Sequence, residues 1–241
     1  LQTTRWGWLD WRVLMCFAVA PVLLWVLVQR SRHHPEPLLD LSLFEDTRFT
    51  VASGAILTFN MGVSAAWFAA PVYFQTVWDW SVLRAGLGVI PSPIVVLLLS
   101  RIAGNIADRG HLRAGIIIGM TAAASALLAM GLLLNAEPNY WTAYFPFALL
   151  YGVGLAFAWA MLTGAALVGI DERLYGAANG ASLTARTVGS ALGIAVVIAI
   201  AGGAGDVTND DWQPVWLAIA GVFGLAALGF GLRYPRARAR I

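Results

Sequence analysis

Residues 114–134 read AGIIIGMTAAASALLAMGLLL, and this stretch carries no charged side chain. It is long enough to supply the roughly 20 residues that an α-helix needs to cross the hydrocarbon core of a bilayer. The strands of a membrane barrel alternate apolar and polar side chains over about ten residues, whereas this stretch is apolar on nearly every side. Residues 114–134 therefore predict a transmembrane helix.

Further stretches of the same kind precede and follow it, and none of them contains Asp, Glu or Lys. They cover residues 13–28, 49–74, 85–106, 141–167, 177–203 and 215–232. Apolar residues make up 59% of the chain and charged residues 12%, and this charged share is about half that of soluble domains. The sequence predicts an all-α polytopic membrane protein with seven transmembrane helices.

Several classes of site lack the residues that they need. Cys16 is the only cysteine, which excludes an intrachain disulfide and a multi-cysteine metal site. A membrane-embedded hydrolase needs a nucleophile with a base, or a set of metal ligands, at the same depth in the membrane. His33, His34 and His111 all lie between the predicted helices and cannot supply them there. We expect no catalytic residue, no metal, no cofactor and no enzyme. The scattered arginines form no long basic stripe, so nucleic-acid binding is not expected.

The arginines between the predicted helices predict the orientation, because positive residues in short loops are retained on the cytoplasmic side. Alternate connections lie on the same side of the membrane. One side holds only Arg5, Arg12 and Arg84, and the other holds Arg30, Arg32, Arg48, Arg109, Arg113, Arg173, Arg233, Arg236, Arg238 and Arg240. The sequence therefore predicts a cytoplasmic C-terminus and an external Leu1.

The inner connection after the third predicted helix has a distinctive composition. Gly104 would permit close helix approach, and Gly110 would permit a tight reversal. Asp108, Arg109 and the basic residue Arg113 could form charge-assisted contacts. The alternative is an ordinary solvated turn.

This pattern resembles the inner-loop motif of the major facilitator superfamily: a glycine, three residues, Asp-Arg, then glycine and basic residues. Other parts of the chain resemble the fourteen-span drug:proton antiporter family within that superfamily. They are Pro37-Leu38-Leu39-Asp40-Leu41 with Leu43-Phe44, Tyr73-Phe74-Gln75 followed by Arg84-Ala85-Gly86 and Pro91, and Arg186 followed by Gly189 and Gly193.

The resemblance implies that this chain is the C-terminal half of a transporter in the cell membrane, with the N-terminal half missing. The chain begins at Leu1 rather than Met, and we expect a piece of a longer protein. Residues 1–48 would form a linker transmembrane helix followed by an inner amphipathic connection. The alternative for the connection is an ordinary solvated loop. Residues 49–241 would form a six-helix bundle. The two halves would rock about a central cavity, with the inner loop as a conformational latch.

A polar and aromatic stripe in the second predicted helix is a candidate substrate site. Asn60, Ser64, Trp67, Pro71 and Gln75 recur every three or four residues and so share one helix face. A looser stripe on the fifth predicted helix contains Tyr144, Tyr151 and Trp159. Such surfaces would suit a small, apolar or cationic substrate. The alternative is helix packing, with Asn60 in an interhelical hydrogen bond.

Two arginines lie inside predicted helices, Arg101 near the inner end of the third and Arg186 in the inner half of the sixth. A charge inside the membrane suggests a functional site. A long arginine side chain can instead extend to the membrane interface and keep its charge in water, and we favour this second interpretation here. Beside Arg186, a ladder of small residues predicts close packing against a neighbouring helix. The ladder comprises Ala177, Ala181, Ala185, Gly189 and Gly193.

Two functions remain open. The first is proton-coupled efflux of drugs or other small molecules by alternating access. No predicted span contains Asp, Glu or His, so the groups that carry the proton would lie in the missing half. The alternative is a seven-helix receptor without transport. A retinal receptor is excluded because the chain has no lysine for a Schiff base, and no receptor would explain the Gly104 to Arg113 loop.

Overall fold

In the computed structural model, the described residues are Met15, Gln29, residues 41–201 and residues 209–235. Every regular element from residue 41 to residue 233 within these ranges is helical. Six segments are long and apolar enough to cross a membrane. This confirms the all-α membrane fold. The predicted first span, residues 13–28, lies outside the described residues apart from Met15.

The helices α1 to α7 are Thr47–Thr76, Val82–Gly88, Pro91–Asp108, Leu112–Leu133, Phe145–Leu167, Tyr175–Ala201 and Asn209–Arg233. Helices α2 and α3 together form one spanning segment, Val82–Asp108. Short 3-10 turns at Leu41–Glu45 and Glu172–Leu174 precede α1 and α6, and a π-helical turn at Tyr140–Tyr144 precedes α5.

Prolines account for two departures from the predicted helices. Residues 85–106 were expected to form one uninterrupted helix, but α2 ends at Gly88 and α3 begins at Pro91. Proline has no N–H to donate and favours the first turn of a helix, so Pro91 and Pro93 start a new helix. In the fifth span, Pro146 occupies the first turn of α5, after the π-helical turn.

Hydrogen bonds join neighbouring segments at one end of the bundle, and turns with glycine lie at the other end. At one end, called the outer end, the Trp78 indole donates to the Asn135 carbonyl at 2.8 Å, and the Tyr73 hydroxyl lies 2.7 Å from Asn209 Oδ1. The opposite end, called the inner end, contains Gly110 and Gly169, both with positive φ. These connections follow the alternation that the sequence predicts.

Helix α1 is at the centre of the described bundle, where it packs on α6, α7 and α5. Helix α4 packs between α5 and α7, and α3 packs on α5. The interior is filled by aromatic and small residues; its largest fully buried side chains include Phe59, Tyr73, Phe74, Trp212, Trp216 and Phe223. Burial is unequal, since only 17% of the apolar window is buried in Val82–Asp108 and in Glu172–Ala201, against 44–56% in the other spans.

Glycines set the distance between α1 and α6. A Cβ atom built on Gly189 would meet the backbone of Leu57, and one built on Gly193 would meet the backbone of Met61. Helices can approach this closely only where a side chain is absent. The glycine part of the small-residue ladder therefore lies directly against α1.

The end of the connection before α1 is docked onto the bundle. Leu43 and Phe49 are buried in a small cluster with Ala178 and Ala181 of α6. Phe44 remains 42% exposed and meets Phe49 edge to face, with ring centroids 5.3 Å apart. An apolar anchor thus holds this turn to the inner end, and the part of the connection before residue 41 lies outside the described residues.

We expect Gly189→Ala to destabilise the protein, because the new methyl group would be forced against the rigid backbone of Leu57. Overpacking of this kind costs about 1–3 kcal/mol. Thermal unfolding of the purified protein in detergent would measure the effect as a lower Tm. Gly180→Ala, on the same helix but with no described atom within 4 Å of the new methyl group, is the matched control. Equal Tm values for the two variants would contradict the close α1–α6 contact.

Candidate functional site

The inner loop makes the tight reversal that the sequence predicts. Gly110 has φ +84°, a region that glycine enters without steric cost. Its N–H donates to the Ala107 carbonyl at 2.9 Å, which closes the turn between α3 and α4. Asp108 and Arg109 are exposed. Neither forms an ion pair within the ranges that the structure describes.

Arg113 differs from Asp108 and Arg109 because its side chain forms a hydrogen bond to another helix of the bundle. Its guanidinium donates to the Gly231 carbonyl in the last turn of α7. A helix C-terminus presents unpaired carbonyl groups and a partial negative charge, so a cation is favourable there. Arg113 therefore fastens the start of α4 to the end of α7.

Tyr234 provides a second tie at the inner end. Its hydroxyl donates to the Ala165 carbonyl of α5 at 3.2 Å, and its ring stacks on Phe230. Burial raises the pKa of the Tyr234 hydroxyl, so it remains a neutral donor. Gly104, by contrast, has no described atom within 4 Å of a built Cβ. The close approach predicted for Gly104 is therefore not made among the described residues.

The polar stripe of α1 separates into residues with different surroundings. Asn60 is buried and its amide donates to the Ile56 carbonyl of its own helix at 2.8 Å. Ser64 Oγ lies 2.9 Å from the Ser190 carbonyl, which joins α1 to α6. Trp67 is 46% exposed. Gln75 is bonded to the Pro71 carbonyl at the outer end of the helix.

Trp67 and Trp159 are neighbouring rings on two helices, and neither ring is buried. Their ring centroids lie 6.5 Å apart at an interplanar angle of 30°. Trp159 also receives Phe59 edge to face at 5.9 Å, which fixes its orientation. The structure thus brings together one predicted residue from α1 and one from α5 in a single aromatic surface.

Tyr144 and Tyr151 are not part of that surface. Each is only 4% exposed. Tyr144 meets Phe74 edge to face at 4.7 Å, and Tyr151 meets Phe223 at 6.0 Å. Both rings therefore fill the space between helices, and a place for them in a substrate cavity stays a prediction.

Arg186 has a partner that the sequence did not indicate. Its guanidinium donates to Thr163 Oγ1 of α5 at 2.7 Å. Thr163 lies one turn from Trp159 toward the inner end of α5, and snorkelling of Arg186 stays a prediction. Arg101 on α3 is exposed.

Arg186 and Trp159 line one small cleft. Its other lining residues are Ile56, Phe59, Asn60 and Leu162. The cleft measures about 10 Å³, which is hardly enough for one water molecule. It is a shallow dent in the surface of the bundle. A ligand bound there would have to be enclosed by residues outside α1, α5 and α6 as well.

A larger cavity of about 500 Å³ lies at the outer end. The Arg84 guanidinium lies 4.1 Å from the ring centroid of Trp80 at its edge, and Tyr140 and Trp141 of the π-helical turn line the other side. Sequence reasoning did not single out this cavity. Among the described residues, no group of three or more His, Cys, Asp or Glu side chains is placed to hold a metal ion.

Comparison with known proteins assigns the fold to a family. The family model described as Major Facilitator Superfamily matches residues 3–194. The chain belongs to the Major Facilitator Superfamily. This confirms the superfamily predicted from the inner loop, whereas the fourteen-span subgroup stays a prediction.

Several curated relatives of this superfamily member carry names that refer to resistance or export. The chain is 28% identical to a tetracycline resistance determinant of Streptomyces rimosus over 83% of its length, and 27% identical to a tetracenomycin C resistance and export protein of Streptomyces glaucescens over 95%. It is 25% identical over 79% of its length to the multidrug resistance protein Stp of Mycobacterium tuberculosis. The matches cover 57%, 42% and 35% of these relatives, so the chain spans about half of their length or less.

We expect Arg113→Gln to lower the stability of the protein by about 1–3 kcal/mol, since a charged hydrogen bond to the end of α7 is lost. Thermal unfolding in detergent would measure this. Arg109→Gln removes the same charge from an exposed position four residues away and should leave the Tm unchanged. If both variants lowered the Tm equally, Arg113 would not have the structural role described here.

Proposed function

We propose that the chain is the C-terminal part of a secondary active transporter that exports drugs or other small molecules across the cell membrane by alternating access. Superfamily membership is the observation that carries the proposal, and the resistance and export names of the relatives support it. A seven-helix receptor, the alternative from the sequence, is not favoured by these relatives.

The uneven burial of the spans supports the presence of an N-terminal half of the transporter that packs against this one. The apolar windows of Val82–Asp108 and Glu172–Ala201 are mostly uncovered. We propose that residues 49–241 form the C-terminal half, that residues 1–48 form the linker, and that the N-terminal half covers these two spans. The exposed Asp108 and Arg109 would then act as a latch toward that half at the inner face.

The substrate would bind on the wall formed by α1, α5 and α6. Trp67 and Trp159 offer ring faces to a small, apolar or cationic compound. Asn60 and Ser64 lie on the same helix as Trp67, but their described hydrogen bonds are to backbone carbonyls. In this proposal they shape the wall and the two indoles supply the contact area.

Proton coupling is part of the proposal. The six described spans contain acidic residues only near their ends, and they contain no histidine. The carboxylates that bind and release the proton would therefore belong to the other half. The C-terminus would be cytoplasmic, because most of the arginines between the spans lie on its side.

Efflux measured in vesicles containing the full-length transporter would test this function. Rhodamine 123 would be loaded, and its movement followed with and without an imposed pH gradient. Antiport predicts dye movement that accelerates with the gradient and stops when an ionophore collapses it. Transport that is indifferent to the gradient would contradict proton coupling, and the absence of movement for a panel of flat aromatic dyes would contradict efflux.

We expect Trp67→Ala to weaken the binding of an aromatic dye about tenfold, because one of two stacking surfaces is lost. Fluorescence anisotropy with the purified full-length transporter would measure the dissociation constant. Trp141→Ala removes an equally large exposed ring at the outer end and serves as the control. A similar loss for both variants, or for neither, would place the substrate elsewhere.

A further inference from the structure

We propose that Arg186 determines the charge of the substrate: the wall selects flat aromatic compounds that carry a carboxylate or phenolate over isosteric cations. This inference rests on the proposed function and revises its substrate class, because Arg186 would disfavour the cationic compounds that the two indoles alone would accept. The aromatic surface alone would accept an apolar or a cationic ring, and the arginine beside it decides between the charge classes.

The guanidinium is held beside the aromatic surface. Arg186 donates to Thr163 Oγ1 at 2.7 Å and borders the same cleft as Trp159. The hydrogen bond to Thr163 fixes the position of the charge without neutralising it, since a hydroxyl is uncharged. An arginine placed in this way can offer a planar pair of N–H groups to a carboxylate.

Most of the donors of this guanidinium remain free for a ligand. Arginine has five N–H donors, and within the described ranges the hydrogen bond to Thr163 is the only one that Arg186 makes. The residue is half-buried rather than sealed in the core. A ligand against Trp159 could therefore accept hydrogen bonds from Arg186 without displacing Thr163.

The positive charge is not balanced by the helices of the wall. Helices α5 and α6 contain no Asp or Glu, and neither does α1. The other charged residue on these three helices is Arg48, in the first turn of α1 at the inner end, where Asp46 caps the same helix, so the field at the wall is that of Arg186. An anionic ligand would gain from this field, whereas a cation against Trp159 would be repelled.

The charge outweighs the aromatic preference for cations. A ring attracts a cation through its quadrupole, an interaction confined to within about 6 Å of the ring centroid. A full charge acts over a longer distance, and it is screened less once a bound ligand displaces the cavity water beside it. The wall should therefore favour anions even though two indoles line it.

Two xanthene dyes provide a matched pair of probes. Fluorescein is anionic and rhodamine 123 is cationic, and they share a ring system. Both would be titrated by fluorescence anisotropy against the full-length transporter, and their efflux from vesicles would be followed in parallel. The transporter should bind fluorescein more tightly than rhodamine 123.

Arg186→Gln should weaken fluorescein binding about tenfold or more, the value of a charge-assisted hydrogen bond, and leave rhodamine 123 binding unchanged or tighter. Arg186→Lys keeps the charge and should retain the order of the two affinities. Arg233→Gln removes an exposed charge from the inner end of α7 and should leave both dissociation constants unchanged.

The outcomes separate this inference from the proposed function. If Arg186→Gln left the ratio of the two affinities unchanged while dye efflux continued, Arg186 would not set the charge preference, although the proposed function would stand. An equal loss of gradient-driven efflux for both dyes, with unchanged affinities, would assign Arg186 to coupling and overturn the inference. If neither dye bound or moved in the unmodified transporter, the proposed function itself would fail.

Discussion

Hydrocarbon offers no hydrogen-bond partner, and the rest of this structure depends on that constraint. Each spanning segment must satisfy its own backbone groups, which only a helix can do within one segment. Polar side chains then turn to carbonyls of their own helix, as Asn60 and Thr58 do, or join a neighbouring helix, as Ser64 does. Because lipid is as apolar as leucine, helices associate through close packing of small residues. The contacts of Gly189 and Gly193 with α1 are the clearest case.

These packing rules also explain why some helices of the bundle are more deeply buried than others. Helices α1, α4, α5 and α7 bury their faces against one another, and rings such as Phe223 and Trp216 fill the gaps. The spans Val82–Asp108 and Glu172–Ala201 contribute less to this core and leave most of their surface uncovered. In the proposed transporter these two spans meet the other half, while the ties made by Arg113 and Tyr234 keep the C-terminal half rigid as it moves.

Much of the fold could be predicted from the sequence because spanning length and the lack of charge are properties of single segments. Residues 114–134 and the observed Leu112–Leu133 differ by only a few residues at the ends. The break before Pro91 was missed, although proline supplied a signal for it. In the fifth span Pro146 signals where α5 begins, but the sequence does not distinguish a π-helical turn from an α-helical one at Tyr140–Tyr144.

The candidate site was less predictable because it depends on which helices are neighbours. Spacing placed Trp67 on one face of α1, but it could not distinguish Trp159, which reaches that face, from Tyr151, which is buried against α7. The contact between Arg186 and Thr163 joins two separate helices and follows from tertiary packing alone. A resemblance in sequence gave the superfamily, whereas the geometry of the wall required the structure.

The central proposal is that Trp67 of the assembled transporter faces a water-filled cavity rather than lipid. Its most direct test is the reaction of Trp67→Cys with a charged, membrane-impermeant thiol reagent, in a full-length transporter whose native cysteines, including Cys16, have been replaced. Leu225→Cys, at an exposed position on α7, is the comparison. The account predicts that Trp67→Cys reacts, that a bound aromatic dye protects it, and that Leu225→Cys remains inert. Equal inertness of the two cysteines would contradict it.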